Sequence, residues 1–317
     1  MYSSKNCLFP ADADILPPSD DRIFKALLTH PDAKQVLIDI VSTIIEFPVL
    51  EVQIRNIELP VMDIDEKSER FDVNCTVDNG DQIDVEMHCT AREEVDTVFT
   101  SFINKYTYYL TDLHSSQKSK GKKYHELVRT YQATFCAYTV LPSLPDFVNR
   151  FSLRTSGGVQ ITDQINMVIV ELSKLNSALK KPVEELTSFE KWSLFFKFAP
   201  DMSRRSLIND IIKDKEEIGM AASLLQEISQ DEREKAILRS RRMAETDRVS
   251  DLLTAEERGE IRGMEKGLQK GFKEGREESF RTIARNALAK GISVETVQEI
   301  TGLDLQTIEN LRKADNG

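Results

Sequence analysis

The residues best suited to chemistry lie between positions 70 and 90, in "RFDVNCTVDNGDQIDVEMHCT". Asp72, Asp84 and Glu86 alternate there with Phe71, Val73, Val85 and Met87. Such alternation marks strands with one apolar face, so the stretch reads as a hairpin whose other face is acidic. The turn decides which acids meet. A two-residue loop at Asn79-Gly80 would set Asp72 opposite Met87 and Val73 opposite Glu86, mixing the faces. A three-residue loop, Asp78-Asn79-Gly80, pairs Val77 with Asp81 and leaves Gly80 in the left-handed position such loops use. Asp72 then faces Glu86, Asn74 faces Asp84 and Thr76 faces Gln82. The other face gathers Phe71, Val73, Cys75 and Val77 against Met87, Val85 and Ile83. A one-residue slip is costly where one face is buried, so the three-residue register is the expected one.

Two carboxylates directly across a strand pair have Cβ atoms ~4.5–5.5 Å apart and repel. A divalent cation held by oxygen ligands would offset that repulsion. Solvent over an exposed polar face would also do so, and this bland reading fits most hairpins. His88 lies one strand step beyond Glu86 and points the same way, so a neutral imidazole there could act as a base.

Around the hairpin, residues 1–19 read as a loose lead-in. "SDDRIFKALL" to "VLIDIVSTII" has helical spacing with Ser19 or Asp20 as cap, interrupted at His30-Pro31. "LEVQIRNIEL" reads as a strand. Residues 95–119 return to helix, with Val98, Phe102, Tyr106, Tyr109 and Leu113 on one core-facing stripe. "TYQATFCAYTV" and "INMVIVEL" read as strands, separated by Leu141, Pro142 and Pro145. This order predicts an α/β domain with a mixed sheet over residues 20–175. Beyond it the reading is helical: a region over 176–255 holding the single tryptophan, Trp192, then a glycine-laddered helix over 256–280 and a small helical tail over 281–317. Gly259, Gly263, Gly267, Gly271 and Gly275 recur every four residues. Each costs a helix about 0.8–1 kcal/mol relative to alanine, so a weak connecting helix is expected. In the tail, "GISVETVQEITGLDLQTIENL" fits a helix-turn-helix or a structural cap, and Glu295, Glu299, Asp304 and Glu309 favour the cap.

The chain has 317 residues, 40% hydrophobic and 30% charged, with a net charge of −11. That length suits two modest domains or one with a helical appendage. The acidity argues against broad, non-specific binding to nucleic acid. Lys118, Lys120, Lys122 and Lys123 nevertheless form a local excess that would suit a polyanion, or a solvated helix end. No apolar run nears the ~18 residues of a membrane span, and the first residues do not read as a secretion signal. Cys7, Cys75, Cys89 and Cys136 show no metal-ligand spacing, so a reducing cytoplasm is the expected setting.

Taken in order, "DDRIFKALL", "FDVNCTVDNGDQIDVEMH" and "KYTYYLTDLHSSQKSKGKKY" resemble the Rpn-type recombination-promoting nucleases, also labelled transposases, of the PD-(D/E)XK nuclease superfamily. The glycine ladder and the tail look like that family's C-terminal region. The resemblance implies a nuclease-like mixed sheet flanked by helices, and a Mg²⁺-dependent (or Mn²⁺-dependent) DNA endonuclease linked to recombination or mobile elements. A catalytically silent DNA-binding or regulatory protein on the same fold is the alternative. It implies that Asp72, Glu86 and the Met87 carbonyl hold the metal, that Asp21 supplies an outer carboxylate, and that residue 88 orients or deprotonates water. DNA contacts would come from Lys105, Lys118, Lys120, Lys122 and Lys123, and the C-terminal helices would serve a homo-oligomer. The chain departs from the family pattern twice: His88 stands where Gln or Lys is usual, and Lys105 where Arg is usual.

Overall fold

In a computed structural model of the chain, residues 8–55, 73–89, 95–117 and 123–314 are described. Helix α1 (Asp21–Leu28) starts where the Asp20 carboxylate accepts from the Arg22 and Ile23 amides, which satisfies two otherwise orphaned donors. His30-Pro31 breaks the helical run as expected, and α2 (Lys34–Ile45) follows as a separate helix. Both are amphipathic and bury Ile23, Phe24, Leu27, Val36, Ile40 and Val41.

Six strands form one sheet among the described residues, in the order β1-β2-β3-β4-β6-β5. They are β1 (Val52–Ile54), β2 (Val73–Val77), β3 (Gln82–His88), β4 (Thr130–Cys136), β5 (Val148–Ser152) and β6 (Ile165–Glu171). The β2–β3 hairpin takes the three-residue loop. Val77 donates to the Asp81 carbonyl at 3.0 Å, Gly80 has φ +89°, and Asn74 pairs with Asp84 and Thr76 with Gln82. The described pairs end at Val73↔Val85, so Asp72 lies outside them.

Strands β3 and β4 run parallel, and a parallel neighbour can be reached only by a crossover over one sheet face. That crossover contains α3 (Val95–Ser115). Its Phe102, Tyr106 and Leu110 pack with Cys136, Met167 and Ile169, which lie on the β4 and β6 face shared with Gln82, Asp84 and Glu86. The acidic face of the hairpin is therefore not solvent-exposed: Asp84 is 0% exposed and Glu86 3%. The bland reading of a solvated face fails because a parallel crossover needs a covering helix.

The opposite face is apolar. Ile83, Val85, Ala133 and Phe135 are buried there, and Phe135 packs against Phe24 and against Phe196 of α4 (Ser188–Phe198). Trp192 also belongs to this layer, donating its indole N–H to Asp39 at 2.6 Å. Helices α5 (Arg205–Asp214) and α6 (Glu216–Gln230) complete it. The first compact unit thus continues to Ala236, well past residue 175. Strand β5 has no counterpart in the sequence reading. It is an antiparallel edge strand on β6 with mostly half-exposed residues, so its pattern lacks clean alternation.

The second unit spans Ile237–Gly317. Most of α7 (Glu232–Ala289) lies in it, and the five laddered glycines sit on this helix with open space where a Cβ would be. Helices α8 (Val294–Thr301) and α9 (Leu305–Ala314) close a small core of Ala284, Val297, Ile308 and Leu311. Ser293 caps α8, Gly302 turns the chain at φ +66°, and Asp304 accepts from the Thr307 amide.

Candidate active site

The site is a polar seam between α3 and strands β2, β3 and β4. Pairing aligns Asn74 with Asp84 and Asp84 with Gln132, and sets Glu86 beside Thr134. Paired residues share a face, so these side chains all point under α3. At one end the Thr130 hydroxyl is satisfied. Thr130 contacts His114 Nδ1 at 2.9 Å and accepts from Gln117 Nε2 at 2.8 Å; Gln117 also bonds both polar groups of the Val128 backbone.

Further along, satisfaction stops. Glu86 Oε1, Thr134 Oγ1 and both amide atoms of Gln132 find no hydrogen-bond partner among the described residues, nor do Thr76 Oγ1 and Gln82 Oε1 in the row beside Thr130. Leaving a buried polar atom unpaired costs about 1–3 kcal/mol, and native proteins keep such atoms rare. Their run along the seam from Gln82 to Glu86 therefore points to ions or water held there.

Glu86 is also the electrostatic centre. Lys105 of α3 brings Nζ to 3.7 Å from its Oε2, while lying 4.6 and 5.1 Å from the ring centroids of Tyr106 and Tyr109. Burial pushes the Glu86 carboxyl above the ordinary carboxylate range, against the attraction of Lys105 and hydrogen bonds with Tyr106 and Asp84. A carboxyl held in this way gains from a cation that keeps it ionised.

His88 follows on the same face. Its Nδ1 is 2.8 Å from the Tyr138 hydroxyl, and its ring stands edge-on to Phe102, Tyr106 and Tyr138. Burial raises the Tyr138 phenol well above its ordinary value, so it stays protonated. Met87, between Glu86 and His88, turns its side chain to the opposite face and buries it. Asp21 lies near the end of β3, where its carboxylate, Asp20 and Cys89 offer atoms within 4.8 Å of one another. Asp20 and Asp21 both accept from the Arg22 amide, so this cluster already serves the start of α1.

The structure brings Glu86, His88 and Lys105 together. Lys123 is exposed, next to the turn at Tyr124–Glu126. Asp72, Lys118, Lys120 and Lys122 lie outside the described residues. The sequence reading placed Asp84 on the acidic face without giving it a role, and missed Gln132, Thr134, Tyr106 and Tyr138 as members of the seam. A signal was present: in "TYQATFC" polar Thr130, Gln132 and Thr134 alternate along what proves a central strand, where both faces are usually apolar.

Comparison with known families decides what this arrangement belongs to. Residues 18–255 match the PD-(D/E)XK nuclease family transposase model. The chain belongs to that family. Residues 277–313 match a second model, the Rpn/YhgA-like nuclease family C-terminal HTH domain, making it an Rpn-type member of the PD-(D/E)XK nucleases. This match overturns the preference for a structural cap in the tail: acidic residues weighed against DNA, but α8, the Gly302 turn and α9 are those of a helix-turn-helix domain. The mixed sheet flanked by helices is consistent with the PD-(D/E)XK fold, and nucleases of this kind typically use divalent metals. Neither the curated proteins nor the solved structures contain a match to the chain. No helix among the described residues is long and apolar enough to cross a membrane.

Proposed function

We propose that this chain is a Mg²⁺-dependent (or Mn²⁺-dependent) DNA endonuclease that hydrolyses phosphodiester bonds in recombination or mobile-element processes. The observation that carries the reading is Glu86: buried, centred among unpaired polar atoms, and bracketed by Lys105 and His88. The donors fit a divalent ion, because carboxylate, amide and hydroxyl oxygens suit a hard cation. Asp72, Glu86 and the Met87 carbonyl would hold it, with Asp21 as an outer carboxylate. When bound, such an ion lowers the pKa of water and stabilises charge on the scissile phosphate.

The chain's own residues supply the rest. If His88 Nδ1 donates to the Tyr138 oxygen, Nε2 keeps its lone pair and can take a proton from the attacking water. The reverse bond would place the proton on Nε2 and disable it as a base. Lys105 provides a fixed cation on α3, facing Glu86 and available to a phosphate oxygen. Phe102 and Tyr106 limit water around the imidazole. Lys118, Lys120, Lys122 and Lys123 would contact the DNA backbone, and the C-terminal helix-turn-helix domain offers a second DNA contact. A homo-oligomer through the C-terminal helices and a cytoplasmic setting complete the proposal.

Nicking of supercoiled plasmid in Mg²⁺ tests it. Wild type should nick, Asp72→Ala and Glu86→Ala should not, and His88→Gln should retain nicking while His88→Ala loses it. Wild-type DNA binding without cleavage in Mg²⁺ or Mn²⁺ would instead establish the silent, DNA-binding alternative.

A further inference from the structure

The row Asn74–Asp84–Gln132 lies one strand step from Glu86 along the seam and has no part in the reaction just described. Its three members are strand neighbours in direct register, on the face covered by α3. They are 7%, 0% and 0% exposed, respectively. Side chains paired in this way stand ~4.5–5.5 Å apart at Cβ, close enough for three oxygens to converge on one ion. Gln132 is the informative member. A glutamine enclosed in a core normally finds partners for its amide, yet neither its Oε1 nor its Nε2 has one among the described residues. With neither end fixed, the amide can turn its oxygen inward.

The surroundings repeat the pattern. Thr76 Oγ1 and Thr134 Oγ1 on the same face are likewise unpartnered, and the Asp84 and Glu86 carboxyls are hydrogen-bonded to each other. The ion pair described in the seam joins Lys105 to Glu86. Every available ligand atom is a carboxylate, amide or hydroxyl oxygen, the donor set of a hard divalent cation rather than of zinc or copper.

We propose that Asn74, Asp84 and Gln132 form an interior divalent-cation site that shares the Asp84–Glu86 carboxyl pair with the outer metal position. The interior ion fixes the Asp84 carboxylate and, through it, the orientation of Glu86. This deepens the endonuclease reading, because the outer position is taken from it.

The test is direct titration of the full, metal-free chain with MnCl₂, followed by calorimetry and by the spin–spin coupling of bound Mn²⁺ in paramagnetic resonance. Wild type should bind two ions and show the coupling of a close pair. Gln132→Leu and Asp84→Asn should each leave one ion and an uncoupled spectrum. Asp72→Ala should also leave one, the interior ion. Gln132→Glu, which adds a carboxylate at the same point and guards against misfolding of the other variants, should keep two and tighten the interior ion roughly tenfold, at the lower end of what altering such a ligand environment does. Two coupled ions persisting in Gln132→Leu, or a single wild-type ion that Gln132→Leu keeps and Asp72→Ala loses, would overturn the interior site and leave buried water as its occupant. If Asp72→Ala and Glu86→Ala bind as wild type does while Asp84→Asn loses an ion, the interior site stands and the outer catalytic position fails.

Discussion

Two buried glutamates on strands of the same sheet have opposite surroundings. Glu171, at the end of β6, is fully enclosed and accepts from the Val140 and Leu141 amides at 2.7 and 2.9 Å, while Lys174 Nζ sits 2.5 Å away. Glu86 is almost as deep, yet Lys105 stands off at 3.7 Å and its Oε1 has no partner among the described residues. Glu171 pins the loop after β4 to the sheet, so its carboxylate is spent on the fold. Glu86 sits among Thr134 and Gln132, whose polar atoms are equally unmet. Burial alone therefore does not mark a functional acid; burial with unmet hydrogen-bonding capacity does.

The largest effect should come from the satisfied member. Glu171→Ala leaves two buried amides without their acceptor and Lys174, still donating to the Leu141 and Leu144 carbonyls, without its counter-charge; it should cost about 3–5 kcal/mol, the usual result of breaking a buried ion pair. Urea unfolding would read this as a lower midpoint at unchanged slope. A loss below about 1 kcal/mol would remove the contrast between the two acids.

Glu190 sharpens the same contrast through pH. Burial works to raise its carboxyl, but Lys181 and the Thr187 amide prevail and hold it below its ordinary value near 4.5. A lowered folded value means that its contribution is complete above the unfolded pKa and disappears as pH falls through the folded one. Glu190→Gln should lower stability by about 1.5–3 kcal/mol at pH 7, as loss of charged hydrogen bonds does. The difference from wild type should shrink towards pH 3, and one that stays constant from pH 7 to 3 would contradict the assignment.

A smaller change is expected in the second unit, where weakness comes from residue choice rather than from an unmet site. Gly267 has open space at its Cβ position. Gly267→Ala should stabilise α7 by about 0.8–1 kcal/mol, raising the helical melting temperature followed by circular dichroism. A lower melting temperature would mean that another backbone packs on the glycine stripe.

The smallest effect belongs to Glu86 in metal-free protein. Glu86→Gln retains the shape and removes a carboxyl that burial disfavours, so its stability should lie within about 1 kcal/mol of wild type, on the stabilising side. Added Mn²⁺ should raise the thermal midpoint of wild type but not that of the variant. A large metal-free destabilisation would make Glu86 a structural acid like Glu171.

The hairpin was readable because a three-residue loop ending at Gly80 was the arrangement that separated its two faces, and the pairing Asn74↔Asp84 follows it. The stripe of α3 was equally readable from its spacing. Strand β5 was not, since an edge strand with half-exposed residues carries little periodicity. Trp192 is buried in the core, as its amphipathic stretch suggests, but its partner Asp39 lies 153 residues away, and sequence pattern holds no information at that range. Lys105 was read as a DNA contact from its place near the tyrosine pair, whereas its ion pair with Glu86 arises only when α3 crosses the sheet.

By itself, then, the sequence determined the hairpin register, the helical breaks and the presence of an acidic face, because these depend on turn geometry and periodicities of two and 3.6 residues. Only the tertiary structure decided that this face is interior. Parallel pairing of β3 with β4 lays α3 over it, removes the water that would have relieved its charge, and brings Gln132 and Thr134 beside carboxyls nearly fifty residues earlier in the chain. The same polar residues on an exposed face would have been hydrated and unremarked; enclosed, they need an ion or ordered water to complete them.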